Sequence, residues 1–246
     1  MTDLIYGIHA VRESLLGQQR KPLELFLLKG PGGRLEEVAR AAATAGVPVR
    51  LRDRPDLDRL AGTSHHQGAV LRVEPFAYQD LEDLLGRWRN SGERAFFLLL
   101  DGITDPHNLG AILRSAEAAG CHGVVVPKDR SCPITPVVDK ASAGALAHLP
   151  LAQVTNLART LEELKREGVW IYGLAGDDGA TPLYGVDFCG DVALVLGSEG
   201  EGLRPNVRRH CDGLAALPMA GAVSSLNASV AAGVALFEVV RQRQNI

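Results

Sequence analysis

The stretch "LPMAGAVSSLNASVAAGVALFEVVRQR", residues 217–243, places a loop of small and polar residues directly before a long apolar segment. Across residues 221–233 no side chain is larger than those of Leu226 and Asn227. Small residues let the backbone approach another segment or a ligand closely. The stretch therefore predicts a tightly packed turn, a bound molecule, or both.

The apolar segment predicts a C-terminal helix over residues 227–243. Its side chains are apolar nearly all round, which is typical of a helix buried in a protein interior. The serines and Asn227 at its start are N-cap formers, and Arg241 and Arg243 suit its C-terminal end, so each has a structural explanation. Gly233 costs about 1 kcal/mol relative to alanine, and close packing is the expected compensation.

Four near-continuous apolar runs lie further towards the N-terminus, and helical patterns separate them. Apolar runs of this length are typical of strands that are buried on both faces of a parallel sheet. The sequence predicts strands at 96–101, 123–127, 169–175 and 191–197, and helices at 107–119, 137–148 and 156–167. This part of the chain is therefore predicted to be an α/β domain.

The segment 1–75 is predicted to form a smaller α/β domain. It has strands at 23–29, 47–52 and 68–74, with a helix at 33–46 that ends at a glycine. The segment that follows is charged, is expected to be partly helical and has turn signals at both ends, which indicates a linker. The expected organisation is a domain over 1–75, a linker over 76–95 and a larger domain over 96–246.

Composition narrows the class of protein. The chain has 246 residues, 46% of them hydrophobic, and a formal net charge of -3. These values favour a packed core and give no global sign of a polyanionic partner. The four cysteines are too widely spaced for a metal knuckle, so reduced thiols and no metal site are expected. The N-terminus has no signal-peptide pattern and no run is long enough to cross a membrane, which indicates a cytoplasmic protein.

The stretch "LDGITDPHNLGAILRSAEAAG", residues 100–120, runs from a predicted strand through a polar turn into a helix. Open α/β sheets place ligands at such strand ends. The apolar stripe centred on Leu109, Ile112 and Leu113 puts Arg114 about 150° away on the helix. Arg114 therefore faces a cleft or solvent, and an ordinary surface arginine is the structural alternative.

The stretch "LVLGSEGEGL", residues 194–203, is a second strand that ends in a turn, with glycines at 197, 200 and 202. Such a turn can direct several backbone N–H groups inward and form a cradle for polar ligand atoms. Glu199 is either part of that cradle or a solvated loop carboxylate. The chain contains neither the dinucleotide fingerprint nor a phosphate loop, which argues against a nicotinamide-dependent dehydrogenase.

Taken together and in this order, the three glycine-rich stretches closely resemble the signature motifs of the SpoU/TrmH class of SPOUT RNA 2'-O-ribose methyltransferases. The resemblance extends to "YGIHAVRESLL" near the start, "SHHQGAVLRV" at the end of the first segment and "VPKDRSCPITPVVDKASAGALAHLPL" in the middle. The full pattern is similar to the branch whose members methylate a guanosine ribose in the peptidyl-transferase region of 23S rRNA. It implies an enzyme that uses S-adenosylmethionine.

The resemblance also implies an architecture. Its expected parts are a small N-terminal RNA-binding domain like ribosomal protein L30e and a C-terminal SPOUT domain with a parallel sheet and a deep trefoil knot. Members of the class are homodimers whose sites lie at the subunit interface. A knot is exceptional among folds, and no sequence pattern in this chain could have revealed one.

Site residues follow from the same resemblance. It implies catalytic roles for Asn108, Arg114, Glu199, Ser225 and Asn227. It implies cofactor binding by Gly197, Gly200, Leu217, Met219, Ser225 and Leu226. RNA contacts are expected from His9, Arg12, Arg20, Lys21, His65, His66, Arg72 and Arg114.

Two questions stay open at this point. Related enzymes with the same motifs modify tRNA, and a relative that has lost catalysis would only bind RNA, although the intact Asn108, Arg114, Glu199 and Asn227 argue against that. The proton acceptor is also undecided. Because arginine stays protonated in proteins, Arg114 is better placed as an electrostatic stabiliser, or beside a backbone phosphate that accepts the proton.

Overall fold

The computed structural model describes residues 2–17, 19–30, 32–176 and 179–244. The chain divides into two compact units. The first unit comprises Met1–Ala77 and Pro133–His148, and the second comprises Tyr78–Cys132 and Leu149–Ile246. A segment from the middle of the chain therefore belongs to the first unit.

The first unit is built on a mixed four-stranded sheet with the order β1-β4-β2-β3. Strand β4 is antiparallel to both β1 and β2, whereas β3 is parallel to β2. The strands are β1 (Asp3–Tyr6), β2 (Pro22–Leu28), β3 (Val49–Arg52) and β4 (Ala69–Val73). The helices between them are α1 (Ile8–Leu16), α2 (Gly33–Thr44) and α3 (Arg54–Ala61).

Alternation along these strands divides the core of the first unit into two layers, because successive strand side chains point to opposite faces. Leu25 and Leu71 belong to the cluster that contains the buried residues of α1 and α2. Phe26 and Val70 belong to the cluster that contains Leu57 of α3. The sheet is thus covered by helices on both faces.

The second unit is built on a seven-stranded sheet with the order β7-β6-β5-β10-β8-β11-β9, in which every neighbouring pair is parallel. Its strands are β5 (Phe96–Asp101), β6 (Gly123–Pro127), β7 (Leu151–Val154), β8 (Trp170–Leu174), β9 (Thr181–Pro182), β10 (Val192–Gly197) and β11 (Gly213–Ala216). The remaining helices are α4 (Leu81–Ser91), α5 (Pro106–Ala118), α6 (Pro136–Ala141, in the first unit), α7 (Leu157–Arg166), α8 (Pro205–Arg209) and α9 (Ala228–Gln244).

The centre of this sheet is formed by the strands with the most continuous apolar sequences. Every residue of β5 and of β10 is buried, and these two strands are paired along their whole length. The predicted α/β class and mainly parallel sheet are confirmed, and the bounds predicted for β5 and β6 are those observed. Because all strands are parallel, their carboxyl ends lie at one end of the sheet, where a ligand site is expected.

Two predicted elements differ from those observed. Within the segment expected to be a linker, Leu84, Leu85 and Trp88 of α4 are buried in the core of the second unit. The helix predicted over 137–148 is α6 followed by a short 3₁₀ turn, with Ala143 and Gly144 between them at φ 51° and 97°. The helical character of the first segment was expected, but its charged residues obscured the short apolar stripe that packs into the core. In the second segment, a left-handed alanine has no clear sequence signature.

The segment Pro133–His148 is joined to the rest of the first unit by a buried ion pair. The Arg20 guanidinium donates to Asp139 Oδ1 at 2.7 Å, and both side chains are almost fully buried. Burial raises the pKa of Asp139 to about 6, and the neighbouring charge of Arg20 opposes that rise. The expectation that Arg20 contacts RNA is wrong, because its guanidinium lies inside the unit and above the ring of Phe76.

Helix α9 is not buried on all sides within this chain. Ala232, Ala235 and Leu236 are inaccessible, and α9 packs against α5 and β10. On the other side, Val230 is 51% exposed and Phe237 is 49% exposed. The prediction of complete burial is therefore wrong for the single chain, since hydropathy does not tell which molecule covers an apolar face. Among the described helices, none is long and apolar enough to cross a bilayer.

The pKa of Asp139 gives the first unit a pH-dependent stability. Its folded pKa is about 6 and the ordinary value is 3.8. The folded state therefore retains a proton that the unfolded chain releases between about pH 4 and 6. The contribution of this group to stability is present below about pH 4 and is lost as the pH rises to about 6. The full loss is at most about 3 kcal/mol.

Asp139→Asn, which mimics the protonated carboxyl group, should remove this component. Amide hydrogen exchange in β1 and β4, corrected for the intrinsic effect of pH, reports the opening free energy of the first unit. The opening free energy of the wild type minus that of the variant should decrease from about pH 4 to about pH 6.5. A constant difference, or one of opposite sign, would contradict the assigned pKa.

Candidate active site

Three loops leave the carboxyl end of the sheet in the second unit, after β5, β10 and β11. The first loop leads into α5, whose start is fixed by Asp105. The Asp105 carboxylate accepts the backbone N–H of Asn108 at 2.7 Å, and Pro106 occupies the first helical turn. An aspartate cap followed by proline is a common start for a helix. Asn108 is therefore held in the first turn of α5.

The three loops meet at one carboxylate oxygen. Glu199 Oε1, in the loop after β10, accepts from Asn108 Nδ2 at 3.0 Å, from Asn227 Nδ2 at 2.8 Å and from the backbone N–H of Ala228 at 3.2 Å. Asn227 Nδ2 also donates to Asn108 Oδ1 at 2.9 Å. We call Asn108, Glu199 and Asn227 the polar cluster.

Asn227 combines this role with the capping of α9. Its Oδ1 accepts from the backbone N–H groups of Ser229 at 3.0 Å and Val230 at 3.3 Å, and from the Ser229 hydroxyl at 2.6 Å. Oδ1 thus caps the helix while Nδ2 donates to the polar cluster. The position of the cluster is therefore tied to the start of α9.

The loop after β10, residues 197–202, is closed tightly on itself, and we call it the glycine loop. The backbones of Ser198 and Gly202 exchange two hydrogen bonds of 3.1 and 3.0 Å. Gly200 and Gly202 have φ values of 85° and 67°, in the left-handed region that glycine favours. A Cβ on Gly197 would lie 2.2 Å from the carbonyl carbon of Gly202, so only glycine fits at this position.

Asp101 holds the far end of the glycine loop in place. It is the last residue of β5 and its side chain is buried. Its carboxylate accepts the backbone N–H of Arg204 at 2.9 Å and Arg204 Nε at 2.5 Å. Sequence reasoning missed Asp101, although a carboxylate at the end of a fully apolar strand was a usable signal because a buried charge requires a partner.

The loop after β11 presents its backbone to solvent. Residues 218–227 are all exposed, including Met219 at 38% and Leu226 at 39%. Within the described part of the chain, no hydrogen bond is formed by residues 218–226, a stretch that includes Ser225. Unpaired backbone groups next to the polar cluster can bind polar atoms of a ligand.

Arg114 lies nearly two turns beyond Asn108 on the exposed side of α5. It forms no ion pair or hydrogen bond with any residue that the structure describes. The predicted orientation, away from the apolar stripe, is thus the one observed. Arg114 and Ser225 take no part in the hydrogen bonds of the polar cluster.

Two family models match this sequence. The SpoU rRNA methylase family covers residues 95–237, and the RNA 2'-O ribose methyltransferase substrate-binding model covers residues 4–79. The chain belongs to the SpoU rRNA methylase family. All residues of the polar cluster lie within the first of these matches, and strands β2 to β4 lie wholly within the second.

Curated members of the family are similar over their full length. The 23S rRNA (guanosine-2'-O-)-methyltransferase RlmB of Escherichia coli K12 is 48% identical over 247 aligned residues, which cover 99% of this chain and 100% of that protein. RlmB of Yersinia pestis is 50% identical, with 99% and 98% covered.

Solved structures of the family share the fold. The SpoU methyltransferase AviRb from Streptomyces viridochromogenes, in complex with AdoMet, has a TM-score of 0.80 and 27% identity, with 100% of this chain and 92% of that chain covered. An AdoMet-bound rRNA methyltransferase from Sinorhizobium meliloti has a TM-score of 0.77 and 25% identity, with 98% and 87% covered.

The part of the chain that matches the family's substrate-binding model contains several of the predicted RNA contacts. His9, Arg12 and His65 are all exposed. The backbone N–H of Ile8 donates to Gln67 Oε1 at 3.0 Å, which joins the turn at 65–68 to the start of α1. Gln67 is exposed and has φ 55°, and sequence reasoning did not single it out.

The expectation that His66 contacts RNA is wrong. Its side chain is 1% exposed, and both ring nitrogens are engaged. Nδ1 accepts the backbone N–H of Gly68 at 2.9 Å, and Nε2 lies 2.9 Å from Asp58 Oδ1. Nε2 therefore carries the proton and donates to that carboxylate. Because His65 and His66 are adjacent, the sequence does not indicate which of the two is buried.

Arg72, another predicted RNA contact, is already paired within the first unit. Its Nη1 donates to Glu24 Oε2 at 2.8 Å, and its guanidinium lies over the ring of Phe26. The pairing reduces the charge that Arg72 can offer to an external phosphate.

The space available at Gly197 is testable by a matched pair of substitutions. Gly197→Ala would force a Cβ into the backbone of Gly202 and should lower the free energy of unfolding by about 3 kcal/mol or more. At Gly190 an added Cβ would meet no neighbouring atom. Gly190→Ala should therefore change the free energy of unfolding by less than about 0.5 kcal/mol.

Urea unfolding followed by tryptophan fluorescence measures both variants, because Trp88 and Trp170 both lie in the second unit. Equal effects of the two substitutions would contradict the observed closure of the glycine loop.

Proposed function

We propose that this protein transfers a methyl group from S-adenosylmethionine to the ribose 2'-hydroxyl of a guanosine in the peptidyl-transferase region of 23S rRNA. The observation that carries the proposal is the meeting of three loops in the polar cluster, in a chain that is similar to RlmB along its full length. With a ribosomal substrate, the proposed location of the protein is the cytoplasm.

The second unit suits a bound S-adenosylmethionine. The glycine loop leaves no room for a Cβ at Gly197, and the exposed backbone of residues 218–226 offers donors and acceptors that have no partner within the described chain. The residues proposed to hold the cofactor are Gly197, Gly200, Leu217, Met219, Ser225 and Leu226. When bound, the cofactor supplies a methyl group that is activated by a sulfonium charge.

The residues of the site contribute alignment and charge stabilisation. Asn108, Glu199 and Asn227 fix the loops relative to one another, so that a ribose hydroxyl can be held in line with the methyl group. Arg114, whose guanidinium has no carboxylate partner in the described structure, stabilises the developing alkoxide. Because a guanidinium is not a base in proteins, the hydroxyl proton passes to a phosphate of the RNA or to solvent. Ser225 completes the site from the loop after β11.

RNA recognition is assigned to the first unit, which we propose to be L30e-like. His9, Arg12 and His65 are its accessible candidates for RNA contact, and Lys21 is a further one. The turn at 65–68 and the start of α1 form one surface. Structured RNA is recognised largely by shape and backbone, so a unit of modest basicity is sufficient.

We further propose that the C-terminal segment passes through a loop to form a trefoil knot. After β11 the chain returns to pack α9 against β10 and α5. The backbone N–H of Ala228 at the start of α9 bonds to Glu199 in the glycine loop. These contacts support the proposal because they bring the end of the chain beside the loop through which it would have to pass.

The exposed face of α9 supports a homodimer with sites at the subunit interface. Val230 and Phe237 are seven positions apart and so lie on one face of the helix, where each is about half exposed. Val223 in the preceding loop is 65% exposed. An apolar face of this kind next to a polar site is characteristic of a protein interface.

The function is tested with purified protein, labelled S-adenosylmethionine and ribosomal RNA from a strain that lacks the modification. We expect label on one guanosine ribose of 23S rRNA, located by mapping the product. Label only in tRNA would contradict the substrate assignment. Cofactor and RNA binding without any transfer would instead identify an inactive RNA-binding relative.

Arg114→Ala serves as the variant for the same assay. Loss of the charge that stabilises the transition state should lower turnover by about 10² to 10³ fold and leave cofactor affinity unchanged. Arg166→Ala removes another arginine, at the far end of α7, and should have no effect. Full turnover by Arg114→Ala would contradict the assigned role.

The homodimer is tested by substitution of its proposed contact residues. Val230→Gln combined with Phe237→Gln should weaken dimerisation by at least about 100-fold, since two apolar anchors are lost. Trp170→Gln, at a similarly exposed apolar residue elsewhere in the second unit, should leave it unchanged. Analytical ultracentrifugation measures both. A wild-type protein that is monomeric at micromolar concentration would contradict the proposal.

A further inference from the structure

A short loop that has no role in the account above lies beside the site. It comprises residues 128–132, with the sequence KDRSC, and we call it the basic loop. The backbone N–H of Lys128 donates to the Val154 carbonyl at 2.8 Å, which extends the pairing of β6 with β7. The backbone N–H of Cys132 donates to the Ile103 carbonyl at 2.9 Å, in the loop that leads to Asn108. The basic loop therefore lies at the carboxyl end of the sheet, fastened to the loop that carries Asn108.

Arg130 has an unusual backbone conformation. Its φ is 57°. This value lies in the left-handed region, where glycine and asparagine are common and long side chains are rare. The side chain is exposed, so packing does not explain why an arginine is present. Strained non-glycine residues concentrate at functional sites, where the side chain is needed in a fixed place.

The two cations of the basic loop are not paired with carboxylates, and the loop keeps a net positive charge although Asp129 lies between them. Lys128 and Arg130 are exposed, and neither forms an ion pair or a side-chain hydrogen bond within the described chain. By contrast, Arg204 pairs with Asp101 in the same unit. The hydroxyl of Ser131 is buried and has no hydrogen-bond partner among the described residues, so the loop has unused polar capacity as well.

We propose that Lys128 and Arg130 bind phosphate groups of the RNA strand next to the methylated ribose and position that ribose at the polar cluster. The inference rests on the proposed function, because it takes RNA as the ligand. Phosphates suit the two side chains, since arginine can bind two oxygens at once and lysine acts as a mobile point charge. Phosphate contacts fix the register of a nucleic acid on a protein without reading its sequence.

The test compares the full-length wild type with Lys128→Gln combined with Arg130→Gln. Affinity for a 23S rRNA transcript is measured at several salt concentrations, together with the kinetics of methylation. Loss of two phosphate contacts should reduce the slope of log affinity against log salt by about 1.4 to 1.8. KM for RNA should rise at least about tenfold at moderate salt, while kcat at saturating RNA changes little.

Three control variants separate charge from structure. Lys128→Arg combined with Arg130→Lys keeps both charges and should retain most of the salt slope. Arg130→Gly removes the charge while relieving the backbone strain, so it should weaken RNA binding without lowering the thermal midpoint. Arg166→Gln, at an arginine on α7, should leave binding unchanged.

The outcomes distinguish this inference from the proposed function. If the wild type methylates the rRNA and the double glutamine variant has the same KM and salt slope, the role of the basic loop is overturned while the proposed function stands. A charge-retaining variant that is as impaired as the glutamine variant also overturns it, because the effect would then be structural. A wild-type protein that neither binds nor methylates rRNA overturns both.

Discussion

The arrangement of the site depends on one oxygen atom, Oε1 of Glu199. It accepts three N–H donors from two other loops, and hydrogen bonds to an ionised carboxylate are roughly twice as strong as those between neutral groups. Without this oxygen the glycine loop would lose its hydrogen bonds to Asn108, Asn227 and Ala228, and only the bond from Asn227 to Asn108 would remain within the polar cluster. Because β5 and β10 are adjacent and parallel, the sheet delivers Asn108 and Glu199 to the same end, and Asn227 then connects α9 to both.

Hydrogen bonding distinguishes the residues that form the scaffold of the site from those that are available to a ligand. On the scaffold side, buried Asp101 is paired with Arg204, and Asn227 caps α9 with its carbonyl oxygen. On the other side, residues 218–226 form no hydrogen bonds within the described chain. A backbone that is held at both ends but unpaired between them is well suited to bind a ligand at little cost in reorganisation. Ligand binding therefore explains the small residues of 218–226 better than close packing does, because these residues are exposed.

The sequence predicted those features that depend on local pattern. Strands β5, β6 and β10 are continuous apolar runs, so burial on both faces identified them, and the glycine and asparagine motifs marked the loops that form the polar cluster. It could not predict that Pro133–His148 joins the first unit, because that depends on Arg20 and Asp139, which are 119 positions apart. Nor could it distinguish His65 from His66, since only the fold decides which imidazole turns inward towards Asp58. Local propensity is outweighed by tertiary contacts in each of these places.

The distribution of charge reconciles an acidic protein with a polyanionic substrate. With a net charge of -3, the chain cannot attract RNA through its overall field, so any affinity must come from cations left unpaired at particular places. Arg20 and Arg204 are held by buried carboxylates and add little to the external potential. Arg114, Lys128 and Arg130 have no such partners in the described structure. A low net charge then favours release of nonspecific RNA, because the long-range electrostatic term is small while the local contacts are retained.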